Sequence, residues 1–563
     1  MDDEFITVEE AASRLGASVA TVRRKCAAGE IVATKVGKAW LVDPAALPRP
    51  ARRRTRRVSS ASGLVDFAHS MRHLRSQDLV RDIWVPDILR FADDLADVGR
   101  IEAAAASRLD LVEPFDSPTI VPIPKSAIFQ RNATNLTLVD RLAYHAAVLA
   151  LSSRIEAQTG DGVFSARLAS ERNRFLRPGA ESWVRWKKAV EVELGLDRWM
   201  AETDITSFFD CIHHTILMQD LENLGAAPPL RSAIREMLKT WSTTPNTGIP
   251  QGPDASRVLA NFYMLPIDEV MAALPDVEYF RYMDDMRIVS PDRHSAIAAL
   301  RVLDVECRKR NLYLSTKKTQ LLDNAAAKDA LTDDLIDSAR YTFEHGKDPA
   351  EKRNELKKLF RKAMSEEVDA RRAKFSIYRL RSLREKGVLG LVMKRLDELA
   401  PLGWLLPAYI LPWLRNPNTA TALEEFFEDP ERNTSDYLST WLLAAVLDEP
   451  HAVTEGILRY ARAVAFDATA RPYHRAVAMN VVSLARTRRD LDRLRATATS
   501  EYDPEVVRGA LVALFRAHAL DRAVADRARR IDGIDSTLDY LRGRKSLPSL
   551  IFSTVQNPVA GGA

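Results

Sequence analysis

Residues 277–290 read Val277-Glu-Tyr-Phe-Arg-Tyr-Met-Asp-Asp-Met-Arg-Ile-Val-Ser290. Two apolar-rich runs flank a pair of acids, the pattern of two strands meeting at a tight turn. Adjacent carboxylates repel each other and resist desolvation, so a chain that sets two of them between core strands usually supplies a cation there. Asp also suits a solvated turn, because it bonds its own backbone, and Tyr282 to Asp285 alone do not separate the two readings.

A second acidic segment lies upstream: Trp199-Met-Ala-Glu-Thr-Asp-Ile-Thr-Ser-Phe-Phe-Asp-Cys-Ile-His-His214. It reads as a strand running into a helix, with Asp204 at the strand's end. Between the two acidic segments, Thr247-Gly-Ile-Pro-Gln-Gly-Pro-Asp-Ala-Ser-Arg-Val-Leu-Ala-Asn261 is a Gly/Pro loop leading into an apolar helix. Acidic strand, Gly-rich loop with helix, and acidic hairpin follow in that order. Asn311-Leu-Tyr-Leu-Ser-Thr-Lys-Lys-Thr-Gln-Leu321 comes after them.

In order and wording these segments resemble the palm of reverse transcriptases. The likeness rests on Asp204, Phe209 and Asp210, on Pro250, Gln251, Gly252 and Ser256, on the Tyr-x-Asp-Asp hairpin, and on the Lys-Thr segment at Lys318. It implies a multidomain α+β chain, a right-hand polymerase of fingers, palm and thumb, making DNA from dNTPs on a nucleic-acid template and primer. In that chemistry a primer hydroxyl attacks the α-phosphorus of a nucleotide. Two divalent ions about 3.5–4 Å apart activate the hydroxyl, neutralise the phosphate and stabilise the leaving pyrophosphate. Hard ions such as Mg²⁺ take carboxylate oxygens and keep sites for water and substrate. The resemblance makes Asp204, Asp284 and Asp285 the catalytic acids. Asp204 and Asp284 are direct ligands of two Mg²⁺ ions, Asp285 is their support, and the backbone carbonyl of Ile205 completes the set; Mn²⁺ is the alternative ion.

The same likeness assigns nucleotide contacts. Phe209 is the aromatic gate beneath the ribose, beside Phe208 as a core ring. Gln251 and Gly252 let the loop approach the nucleotide, glycine being the residue that permits this. Lys318 meets the leaving phosphates. Ile120-Val-Pro-Ile-Pro-Lys-Ser-Ala-Ile-Phe-Gln-Arg-Asn132 resembles the start of the fingers, which makes Lys125 and Arg131 triphosphate contacts and Arg141 a structural ion-pair partner. Ser165 to Arg177 holds Arg167, Arg172 and Arg174, whose default reading is a solvated helix face.

Residues 5–25 read as two short amphipathic helices with a turn at Gly16 and a cap at Ser18; Ala11, Ala12, Leu15, Val19 and Val22 supply the facing sides. Residues 29–43 alternate like a small β-wing around Gly37. The whole resembles the winged helix-turn-helix domains of excisionase and MerR-type regulators. Its second helix is expected in a DNA major groove, with Thr21, Arg23 and Arg24 at base edges and Lys35 and Lys38 of the wing on phosphates. Pro48 to Gly63 carries six arginines, among them Arg52, Arg53 and Arg54, in a Pro- and Ser-rich setting. That is a flexible basic linker with salt-sensitive, sequence-independent affinity for nucleic acid.

The expected layout is a winged helix-turn-helix at 1–46, linker at 47–63, fingers and palm at 64–345, thumb-like helices at 346–400, and an all-α, HEAT-like domain at 401–563. Turn signals at Asn416-Pro, Asp429-Pro, Glu449-Pro and Asp503-Pro separate the later helices, and Arg471–Ala485 and Tyr502–Arg516 look like successive repeats. A palm followed by such a tail resembles the abortive-infection and other defence-associated bacterial reverse transcriptases, some of which extend DNA without a template or prime on their own protein, so the resemblance implies RNA-templated, untemplated or protein-primed synthesis. A retron-like or mobile-element enzyme copying one RNA, and a DNA-binding scaffold with an inactive polymerase domain, are the alternatives. A noncoding RNA and a second copy of the chain are further candidate partners.

Net charge is +4 from 81 basic and 77 acidic residues, so any nucleic-acid surface must come from local clustering. Cys26, Cys211 and Cys307 are too few and scattered for a disulfide framework or zinc site. With no apolar run long enough to span a bilayer and no signal-peptide pattern, the expectation is a protein of the reducing cytoplasm with no membrane partner.

Overall fold

Strand-forming Ile, Val, Trp and Thr bracket two short helices at the amino terminus, and they fold as the pattern predicts. The computed structural model describes residues 5–15, 19–37, 39–44, 60–79, 84–126, 128–170, 174–195, 197–365 and 367–551. Contacts divide the chain into two units, meeting between Ser60 and Ala61. In the first, β1 (Ile6–Thr7), α1 (Val8–Leu15), α2 (Val19–Ala27), β2 (Ala33–Val36) and β3 (Ala39–Val42) form a three-stranded sheet of order β1-β3-β2 with two helices. Val8, Ala11 and Ala12 meet Val22 and Cys26 in its core, closed by Ile6, Ile31 and Val42. Gly37 takes φ +60° in the wing turn. The expected turn at Gly16, the cap at Ser18, Lys38 and Arg52 to Arg54 lie outside the described residues. Ala61 and Ser62, read from sequence as linker, open the second unit: Ala61 is buried, and Ser62 binds both carboxylate oxygens of Asp110.

The second unit begins with α3 (Phe67–His73), α4 (Val98–Leu109), the hairpin β4 (Thr119–Pro124) and β5 (Gln130–Asn135), α5 (Leu138–Gln158) and α6 (Gly179–Leu194). Then come β6 (Trp199–Thr203), α7 (Phe208–Cys211), α8 (His214–Asn223), α9 (Pro228–Trp241) and α10 (Asp254–Ala272). The acidic hairpin is β7 (Glu278–Tyr282) and β8 (Asp285–Ser290), followed by α11 (Arg293–Lys309) and β9 (Gln320–Leu322). These strands make an antiparallel sheet of order β7-β8-β6-β9. Side chains alternate across it as the two-residue period demands. Ala201, Tyr279, Met286 and Ile288 face the large core that includes α10 and α11, while Met200, Phe280 and Val289 pack against Trp186, Val190 and Leu194 of α6.

The remaining helices are α12 (Asn324–Leu331), α13 (Asp334–His345), α14 (Pro349–Ala363), α15 (Ala370–Ser382), α16 (Leu389–Lys394), α17 (Leu405–Ile410), α18 (Pro417–Glu428) and α19 (Asp436–Asp448). Then follow α20 (Glu455–Ala465), α21 (Pro472–Val482), α22 (Arg488–Ser500), α23 (Pro504–Arg516), α24 (Arg522–Ala528) and α25 (Ile534–Leu541). From α15 onward they stack in two rows: α15, α17, α19, α21, α23 and α25 pack in succession, while α16, α18 and α20, then α22 and α24, form a second row. That is a helical solenoid, in which each pair buries the apolar face of its neighbours. α19 and α21 are buried nearly all round. Prolines open α18 and α23, where their missing N–H is not needed, and Asn416 and Asp503 cap them. One continuous core runs from Ile336 in α13 through the whole solenoid.

Ser165–Arg177 departs from its predicted helix face. Its described residues form an irregular loop with a Leu168–Leu176 bridge, because Arg167 satisfies itself on Glu156 and on the carbonyls of Gly160 and Val163. Arg172 lies outside the described residues.

Candidate active site

Antiparallel pairing of β6 with β8 aligns Thr203 with Met286, so the residues just beyond, Asp204 and Asp285, come to the same end of the sheet. Asp284 occupies the turn between β7 and β8. Asp204 thus meets the adjacent pair Asp284 and Asp285, some 80 residues later in the sequence, at one end of the sheet. Asp204 is only 9% exposed. Ile205 is buried and bridges Leu314, leaving the strand's end tied to the Asn311–Leu321 segment.

The turn is held by side chains that the sequence did not single out. Met283 sits at φ +60°, a conformation costly for a non-glycine residue, and its N–H donates to Ser165 Oγ at 2.7 Å. Arg281, 0% exposed, donates Nη1 to the Met283 carbonyl at 3.0 Å and to Asn261 Oδ1 at 2.9 Å. Its Nε and Nη2 meet the two oxygens of Asp268 at 2.8 and 2.5 Å. A charged residue in the middle of an apolar strand was the available signal; the partner on α10 was not legible locally.

Burial, then the charges of Asp204 and Asp285, pushes the Asp284 carboxyl up to about 6. Burial also raises Asp285, with Arg287 opposing the shift. Arg287 pairs with Glu202 at 3.1 Å and reaches Asp285 at 3.9 Å, a support missed in the sequence. Lys318 donates Nζ to Asp204 Oδ2 at 2.7 Å. Burial opposes its cation, but this bond and the three aspartate charges raise its proton affinity above the ordinary lysine value. Repelling carboxylates with a single ammonium among them fit a divalent cation: hard oxygen donors, a surplus of negative charge, and a carbonyl at Ile205 beside them.

The Pro-Gln-Gly loop lies beside the acidic strand's turn. Ile249 N–H donates to the Phe209 carbonyl at 3.0 Å, and Thr134 N–H of β5 donates to the Gln251 carbonyl at 2.9 Å. Phe208 is core while Phe209 is half-buried, their rings 5.6 Å apart. Gly252 takes φ +141°, open to glycine. Lys125, at the tip of the β4–β5 hairpin, lies near enough to Asp210 for its charge to offset the upward push of burial on that acid. Arg131, exposed on β5, adds its charge to burial in lowering Lys374 of α15. Arg141 pairs with Asp78, as a structural partner.

Below the loop, His73 Nε2 meets Asp254 Oδ2 at 2.9 Å, and the Asp254 N–H donates to Asp78 Oδ1 at 3.2 Å. Ligand-type atoms of His73, Asp78 and Asp254 lie within 4.8 Å of one another. Because Asp78 is committed to Arg141, this buried network reads as the anchor of α10 on α3 and α5.

In the amino-terminal unit Arg24 and Lys35 are exposed. Arg23 is exposed too but pairs with Glu9 at 3.1 Å, so it is less open than expected. Lys35 Nζ stands 5.8 Å over the Trp40 ring. No described helix is long and apolar enough to cross a membrane.

Two family models match parts of the chain. Residues 150–351 match the reverse transcriptase (RNA-dependent DNA polymerase) family, and residues 5–54 match a helix-turn-helix domain family. No curated protein matches the chain. Among solved structures, telomerase from Candida albicans in complex with a TWJ fragment of telomeric RNA aligns at 10% identity over 57% of this chain and 63% of that one, with TM-score 0.30. Apo telomerase from Candida tropicalis aligns at 10% identity over 62% of this chain and 65% of that one, TM-score 0.30. The chain thus spans just under two thirds of the length of each. With Asp204, Asp284 and Asp285 inside the matched residues, the chain carries a reverse transcriptase domain, of the RNA-directed DNA polymerase class, behind an amino-terminal helix-turn-helix domain.

Proposed function

We propose that the chain is a metal-dependent DNA polymerase that copies RNA and acts in phage defence. The observation that carries the polymerase reading is the meeting of Asp204, Asp284 and Asp285 at one end of the β6–β8 ladder. Two Mg²⁺ ions held by Asp204, Asp284 and the Ile205 carbonyl, or Mn²⁺ in their place, would supply hydroxyl activation and charge neutralisation. Asp285, tethered by Arg287, keeps the turn in place. Phe209 bars a 2′-hydroxyl and so selects dNTPs, while Gln251 and Gly252 line the nucleotide. The primer hydroxyl gives up its proton to water as its oxygen forms the bond to the α-phosphorus and the bond to pyrophosphate breaks; Lys318 Nζ supplies a cation, and a proton, to the leaving group.

Support for a nucleic-acid track comes from crowded cations on α6, α13 and α15. Burial, then Arg340, pushes Arg379 down to about 10 against the charge of Glu344; burial lowers Lys187 against the charge of Asp337, with Arg371 and Arg340 adding to the shift. Phosphates of a bound duplex relieve such repulsion and release counterions. Arg24, Thr21 and Lys35 form the DNA-facing set of the helix-turn-helix domain. The defence role rests on the solenoid that follows the palm, a layout like that of defence-associated bacterial reverse transcriptases.

The test supplies purified full chain with Mg²⁺, dNTPs and an RNA template–primer, and sequences both the products and any copurifying nucleic acid. Products complementary to the template are expected. Products lacking any complementary template would replace copying by untemplated synthesis, recovery of one RNA species would favour an enzyme dedicated to it, and no product at all would overturn the reading. A phage challenge of cells with and without the chain tests the defence role.

A further inference from the structure

Trp84 stands against the Pro-Gln-Gly loop: a Cβ added to Gly252 would lie 2.2 Å from Trp84 Nε1 and 3.1 Å from Cε2. Glycine at 252 therefore makes room for this indole as well as meeting its own backbone angle. The Trp84 Nε1 donor is buried and has no acceptor among the described residues. A buried donor left unpaired costs free energy, and this one abuts the loop proposed to seat the nucleotide, where a ligand can bring the acceptor.

The solenoid fixes where this indole lies. Trp441 of α19 donates Nε1 to the Trp84 carbonyl at 3.0 Å. Val85, Ile88 and Leu89 belong to the solenoid's core. Arg508 of α23 then clamps Asp87 at 2.5 and 3.0 Å and Asp93 at 2.7 and 2.6 Å, and Thr537 donates to Asp93 Oδ2 at 2.7 Å. A segment pinned at both the Trp84 carbonyl and the two aspartates has little freedom to withdraw the ring.

We infer that Trp84 is a positioning residue whose indole N–H donates to a nucleotide seated on the Pro-Gln-Gly loop, and that the solenoid sets its position. The inference rests on the polymerase reading. The acceptor is a base or sugar oxygen or nitrogen, belonging either to the incoming dNTP or to the templating nucleotide. Holding Trp84 gives the solenoid a direct part in substrate binding.

The experiment labels the full chain with 5-fluorotryptophan and follows ¹⁹F resonances, Trp84→Phe identifying the signal of Trp84 among the nine tryptophans. One arm adds dNTP alone, the other a template–primer ended by a dideoxynucleotide. The Trp84 signal should move in one arm, naming the source of the acceptor. In synthesis assays Trp84→Phe, which keeps a ring but loses the donor, should raise KM for that ligand about fivefold with kcat within about twofold, the effect of one hydrogen bond. Trp441→Phe should move the same KM by less. A signal unmoved in both arms, or a Trp84→Phe variant whose KM is unchanged, overturns the inference. A wild-type chain that makes no DNA overturns the polymerase reading instead, and the resonance shift still reports on Trp84.

Discussion

Arg281 and Asp268 form a doubly hydrogen-bonded ion pair inside the palm, Nε to Oδ1 at 2.8 Å and Nη2 to Oδ2 at 2.5 Å, and the same guanidinium holds the carbonyl of Met283 in the acidic turn. Removing one member strands a buried charge. Asp268→Ala should cost about 3–5 kcal/mol in denaturant unfolding. A double variant, Arg281→Met with Asp268→Leu, should recover most of that stability, since replacing both partners by apolar residues is often nearly neutral. DNA synthesis by the double variant should nevertheless stay low, because Met283 has lost its donor. Recovery of both stability and synthesis would refute the turn-holding role.

Lys318 donates to Asp204, the carboxylate proposed to hold a metal, and so would compete with that ion. In Lys318→Met, Mg²⁺ should bind at lower concentration by isothermal titration, because no ammonium needs displacing. The rate of nucleotide addition should fall by about 100-fold, the contribution of a positioned proton donor. The two effects run in opposite directions. Weaker metal binding together with slower synthesis would mean that Lys318 merely props the strand.

The two phenylalanines after Asp204 should part company. Phe209→Ala should raise ribonucleotide over deoxynucleotide incorporation about tenfold or more, the scale of a steric filter, with little loss of stability. Phe208→Ala, in the core, should cost about 3–5 kcal/mol and leave sugar selection alone. Competition assays with paired rNTP and dNTP decide between them.

How much of this was legible follows from the range of each interaction. The strand before Asp204, the hairpin around Asp284 and the helix after Pro250 are local patterns, read by two- and three-to-four-residue periods. The solenoid showed itself through the prolines that open α18 and α23. Arg281 was visible as a charge in a strand, but Asp268 becomes its partner only when α10 packs on the sheet. Trp84 meets Gly252 through tertiary closure alone. Arg167 was misread because a run of arginines looks solvated until Glu156 and two carbonyls come within reach. Lys125 and Arg131 share a motif, but the groups their charges act on, Asp210 and Lys374, come near them only through tertiary packing.

Glu505, beside the Arg508 clamp, makes stability depend on pH. Burial, then the charges of Asp87 and Asp503, pushes its carboxyl up from 4.5 to about 8. A raised acid binds its proton more tightly folded than unfolded, so stability is fullest below about pH 4.5 and declines as pH rises through 8. Glu505→Gln removes that decline. The variant should match wild type near pH 5 and exceed it by about 1–2 kcal/mol at pH 9. A difference that stays constant from pH 5 to pH 9 would contradict this assignment.

The most direct measurement compares wild type with Asp284→Asn in Mg²⁺-dependent incorporation of labelled dNTPs on an RNA template–primer, with circular dichroism showing that both are folded. The account predicts extension by wild type and none detectable by the variant. Equal incorporation by the two proteins would contradict it.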